Sequence, residues 1–70
     1  MREPCAKGDR IELIHMPDDP NPLPAGSQGT VMWVNMLGIG GEYQIAVKWD
    51  SGRTLMLVPA DQFKIIGRAD

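Results

Sequence analysis

Acid–base chemistry needs ionisable groups in different environments around one substrate, and His15, Asp18 and Asp19 come nearest to such a set. Asp18 and Asp19 are adjacent, so on a strand they would point apart, and in a loop both would be solvated. Asp next to proline ordinarily makes an Asx turn. They are therefore expected to shape a loop that touches a partner, not to share a proton. His15 has no nucleophile at a recognisable spacing and is expected to close a strand at the base of that loop. Cys5, in the lead segment, would lack a fixed base to activate its thiol. Gly38 to Gly41 is not followed by the helix that phosphate cradling requires. Asp18, Asp19, Asp50 and Asp61 match no calcium loop; Asp50 is better placed to begin a turn and Asp61 to cap one. One Cys and one His fall short of a four-ligand zinc site. The expectation is a protein without catalytic residues, metal or cofactor.

Size and charge narrow the classes further. Seventy residues make one domain. Such a chain buries only about 60% of the surface exposed on unfolding. A single cysteine excludes an intrachain disulfide, so self-association is the remaining route to extra stability. The net charge is −2 and Lys and Arg are scattered, which argues against a phosphate-backbone grip unless folding gathers Lys7, Arg10, Lys48 and Arg53. The apolar stretches are too short for a membrane span, and the first residues lack the apolar core of a signal peptide. A cytoplasmic protein, in a bacterial cell, is expected.

The elements that must position these residues read as strands. Residues 1–8 form a lead ending in a Lys7-Gly8-Asp9 turn, residues 9–66 the domain, and residues 67–70 a tail. Arg10 to Met16 alternates with a period of two, as a half-buried strand does. Residues 17–28 are a loop stiffened by Pro17, Pro20, Pro22 and Pro24, either a binding loop or a rigid cover for one end of the domain. Gly26 and Gly29 bracket a tight turn, and Thr30 to Leu37 is a strand apolar on both faces. Tyr43, Ile45, Val47 and Trp49 alternate with polar neighbours. Asp50-Ser51-Gly52 predicts a type I turn followed by glycine in the left-handed region. Arg53 to Val58 is a fourth strand, residues 59–62 a 3₁₀ turn, and Phe63 to Ile66 a short fifth strand. The fold expected is all-β: a five-stranded SH3-like barrel with a long proline-rich first loop.

Barrels of this kind hold things more often than they transform them. Tyr43 and Trp49 share a face with Ile45 and Val47, which places them in the core; an indole in so small a domain also reaches the rim, which makes Trp49 a candidate contact. Trp33 is the better candidate, because its strand has two apolar faces and only one can fill the core. If Val31, Trp33, Leu55 and Leu57 point inward instead, Met32, Met36 and Met56 form an outward apolar patch, or a second small core under the loop. Which face of this strand turns inward stays open.

Gly8-Asp9-Arg10, Met16-Pro17-Asp18-Asp19-Pro20, Pro22-Leu23-Pro24-Ala25-Gly26, Gly29-Thr30-Val31, Trp49-Asp50-Ser51-Gly52 and Leu55 resemble a bacterial family catalogued as a domain of unknown function (number 4314). The resemblance spans roughly residues 7–66 and implies a phage or mobile-element setting but no activity. The expected function is a non-catalytic module that binds a protein partner, a host defence factor or a second copy of itself, through Trp33, the three methionines and the proline-rich loop. An oligomer that sequesters a small nucleotide is the alternative, with Arg10, Lys48 and Arg53 on phosphate and Trp33 or Trp49 stacking. Nucleic-acid binding by a KOW-like barrel is a further one.

Overall fold

Alternation along Asp9–His15 (β1) turns Ile11 and Leu13 inward and leaves Arg10 and Glu12 on the other side, which is the period expected of a sheet with one covered face. The computed structural model describes residues 4–17, 20–38, 40 and 42–68. Three more strands follow: β2 (Gln28–Met36), β3 (Tyr43–Trp49) and β4 (Gln62–Arg68). All neighbours are antiparallel, in the order β3-β2-β1-β4. The protein is thus all-β, an open four-stranded sheet. Among the described residues no helix is long and apolar enough to cross a membrane.

Ile11, Leu13, Val31, Ile45, Trp49 and Leu57 are essentially solvent-free and form the centre of the core. Val34, Tyr43, Leu55 and Phe63 pack around them. Cys5, expected in a loose lead, belongs to this core. The lead is held down by Asp9, whose Oδ2 accepts the Ala6 N–H (2.8 Å), and by the Gly8 N–H on the Val31 carbonyl (2.9 Å). Met16 and Leu23 are buried as well, so the loop after β1 is pinned by its own apolar residues. Arg53 adds a hydrogen bond to the Asn21 carbonyl (3.0 Å). Asp18 and Asp19 lie outside the described residues.

The expected strand at Arg53–Val58 is reduced to one bridge. Leu57 exchanges both backbone hydrogen bonds with Ile45 (2.9 Å each), and residues 53–56 are not in a ladder. Within that stretch the Leu55 carbonyl accepts the Trp49 indole N–H (2.7 Å). A single turn precedes β4, closed by the Asp61 N–H on the Val58 carbonyl (2.9 Å). The buried Asp61 carboxylate caps it by accepting the Val58 N–H (3.1 Å), the role expected of this residue.

After β3 the chain reverses in a turn closed by the Gly52 N–H on the Trp49 carbonyl (2.9 Å), and Gly52 has φ +90°. A Cβ there would meet nothing within 4 Å, so only the backbone restricts this position. Gly52→Val is expected to destabilise by about 1–2 kcal/mol through left-handed strain. A thermal melt should show a fall of at least about 4 °C. An unchanged melting temperature would mean that the turn does not need the left-handed conformation.

Candidate functional site

β2 changes faces halfway along its length. Val31 pairs with Val47, but the next pair is Trp33 with Ala46, so Met32 is an extra residue in a β-bulge. Before the bulge Val31 points to the core; after it Val34, opposite Ile45, and Met36, opposite Tyr43, take the inner side and are half-buried. Trp33 is therefore turned outward against the small Ala46 side chain and is 45% exposed, beside Met32 at 46%. The bulge resolves the strand that reads as apolar on both faces: its two halves use opposite parities.

This corrects the methionine patch. Met32 is exposed, whereas Met36 and Met56 are half-buried, so the three do not present one surface. Trp49 is corrected too. Its indole is 2% exposed, with its N–H committed to Leu55, and offers no face for stacking. Arg53 is partly buried and spends one guanidinium nitrogen on Asn21.

The outer face of the sheet carries a continuous polar array. Arg10 Nη1 and Nη2 donate to Asp50 Oδ1 (2.9 Å) and Oδ2 (2.6 Å), a bidentate pair. Arg10 also donates to Thr30 (3.1 Å) and more weakly to Gln28 (3.5 Å). Gln28 donates to Glu12 (3.1 Å), and Glu12 reaches Lys64 (3.5 Å). The hydrogen bonds from Arg10 hold the Asp50 carboxyl below its ordinary range, and those bonds raise Arg10 in turn. Asp50 therefore uses its side chain across the sheet, not as a cap within its own turn. Of the residues considered for a phosphate grip, Arg10 is neutralised by a carboxylate, while Lys48 is exposed in the same cross-strand row, opposite Thr30. His15 is exposed at the end of β1, opposite Gln62. Among the described residues no three His, Cys, Asp or Glu side chains converge as metal ligands.

A second surface was not foreseen. An open groove of about 390 Å³ lies between the β2–β3 hairpin and the turn before β4. Leu37, Glu42, Tyr43 and Gln44 form one wall, and Val58, Pro59 and Ala60 the other. Burial raises the Tyr43 phenol pKa, with the charges of Cys5 and Asp61 acting in the same direction. Proline after valine reads only as a turn; that this turn faces the hairpin is a tertiary fact.

The sheet, the bulge and the groove define a small all-β protein with an exposed aromatic residue on its outer face. Over residues 1–66 the chain matches the family described as a domain of unknown function (DUF4314), and it belongs to that family. No curated protein and no solved structure matches it.

Proposed function

We propose that this protein is a non-catalytic binding module of the bacterial cytoplasm that engages a protein partner through the β2 bulge. The observation that carries this reading is the pair Met32 and Trp33, two large apolar side chains side by side and nearly half exposed on the outer face. Trp anchors concentrate binding energy, and Met adapts to the surface it meets. The phage or mobile-element setting implied by the resemblance makes a host protein the partner class. We read the fold in the same spirit as an SH3-like barrel, with Leu57 standing for the fifth strand. The order β4-β1-β2-β3 followed by the Leu57 bridge supports that reading. Nucleotide sequestration draws less support, because Trp49 is buried and Arg10 already carries a carboxylate.

Trp33→Ala tests the reading. A partner captured by the wild-type protein should bind this variant at least about 30-fold more weakly, the loss of one hot-spot side chain. The melting temperature should move by no more than about 4 °C, as for a surface substitution. A variant that unfolds would place Trp33 in the core; undiminished binding would move the contact elsewhere.

A further inference from the structure

Five side-chain carboxylates lie among the described residues, and four of them are engaged. Asp9 accepts from Ala6 and Arg68, and Glu12 accepts from Gln28 and faces Lys64. Asp50 is held by both Arg10 nitrogens, and Asp61 caps the Val58 N–H. Glu42 is the exception. Its residue is exposed, and among the described residues its carboxylate has neither a hydrogen bond nor an ion pair. It stands in the wall of the groove between the β2–β3 hairpin and the turn before β4.

The polar neighbours of Glu42 in that wall are unengaged as well. Neither the Tyr43 hydroxyl nor the Gln44 amide has a hydrogen-bond partner among the described residues. The backbone adds an acceptor. Ile45 exchanges both of its hydrogen bonds with Leu57 off the β3 edge (2.9 Å each). Backbone groups alternate along a strand, so Tyr43, two residues earlier, sends its N–H and C=O off the same edge. The residue that would answer the Tyr43 carbonyl is Pro59, two residues after Leu57, and proline has no N–H. Leu37, Val58 and Pro59 supply apolar walls, and no Lys or Arg lines the groove.

A space that offers oxygen acceptors, one of them charged, and no cation of its own suits a cationic donor on an apolar stem. A guanidinium fits better than an ammonium. It has more N–H donors, set in a planar fork, so it bonds a carboxylate and a neighbouring carbonyl together. Its methylenes cover apolar walls, and its face lies on an aromatic ring. The groove holds about 390 Å³ and is open along one side, so a side chain enters while the backbone that carries it stays outside.

We propose that this groove receives an arginine side chain of a partner polypeptide, its guanidinium set on the Glu42 carboxylate and the Tyr43 carbonyl. The site is separate from the Trp33 surface: Tyr43 sits opposite Met36 on the inner side of the sheet, whereas Trp33 is turned outward. The inference therefore stands whether or not Trp33 makes a contact.

Titration of the full chain with acetyl-arginine methylamide, followed by amide NMR, tests this. The control is the citrulline compound, which keeps the shape and lacks the charge. Capped arginine should saturate in the millimolar range and shift the Glu42, Tyr43, Gln44, Val58 and Ala60 amides. Capped citrulline should bind at least about 10-fold more weakly, the loss of one hydrogen bond between charged groups. Capped lysine should fall between the two. Glu42→Gln should melt with the wild type, since the residue is exposed, and should lose about 10-fold in affinity for capped arginine. Trp33→Ala should bind capped arginine like the wild type. Citrulline or lysine that binds as tightly as arginine overturns the inference, as does undiminished binding to Glu42→Gln. So do shifts that centre on Trp33 or on the Arg10–Asp50 pair, or a titration that never saturates within the solubility of the probe. Free arginine that binds much more tightly than the capped compound would give the groove to a small molecule and overturn the polypeptide assignment.

Discussion

Trp49→Ala is expected to lower the melting temperature by at least about 12 °C, the largest single effect in the core. Trp49 is the largest of the side chains that are less than 2% exposed or close to it, and it ends β3 where the chain turns. Removing a buried tryptophan costs about 3–5 kcal/mol, because the cavity left behind collapses only in part. A chain of this length has about 4–10 kcal/mol in total. Two effects act together. The packing against the core is lost, and the Leu55 carbonyl loses the indole N–H that holds residues 53–56 in place. Trp49→Phe separates them: it keeps most of the apolar volume but leaves that carbonyl without its donor, an expected loss of about 1–3 kcal/mol. Equilibrium denaturation of the three proteins should rank them wild type, Phe, Ala. An alanine variant as stable as the wild type would mean that the indole is not the keystone of this end of the sheet.

What could be read from the chain alone follows from how far each interaction reaches. β1 and β3 were legible because a strand with one covered face writes its burial directly into the sequence: Ile11 and Leu13 on one, Ile45, Val47 and Trp49 on the other. β2 defeated the same rule, since the bulge at Met32 is set by pairing with Val47 and Ala46, and nothing in Val31-Met32-Trp33 itself announces a change of parity. The ladder expected at Arg53–Val58, the fourth strand of the sequence reading, is likewise absent apart from the Leu57 bridge. Residues 53–58 have strand composition, yet only Leu57 pairs, with Ile45, while the Leu55 carbonyl accepts the indole N–H of a side chain six residues away. Asp50 was placed in its turn correctly, yet its carboxylate binds Arg10, forty residues earlier, and that bond is invisible locally. Trp33 reads as a candidate contact because its strand is apolar on both faces and only one can fill the core; the groove at Tyr43 and Pro59 has no such signal, because it exists only where two distant turns meet.

Gly29→Ala is expected to destabilise by about 1–3 kcal/mol, the cost of overpacking a filled site, and the reason differs from that at Gly52. Gly29 was read as part of a tight turn with Gly26. Gly26 is in that turn, with φ +91° and open space around it. Gly29 lies within β2, between Ile11 on β1 and Trp49 on β3, and its φ is not among the positive ones. A Cβ there would stand 2.6 Å from Val47 Cγ1, 2.9 Å from the Lys48 carbonyl oxygen and 3.1 Å from Trp49 Cα. The first neighbour is a side chain and can be trimmed; the other two are backbone and can yield only if β2 and β3 move apart. Val47→Ala in the Gly29→Ala background should therefore recover part of the loss and no more, a coupling that a double-mutant cycle reads directly. Full recovery would mean that only the valine methyl stands in the way. A Gly29→Ala protein that melts with the wild type would mean that the strands are not in the close contact that seats Trp49 beneath them.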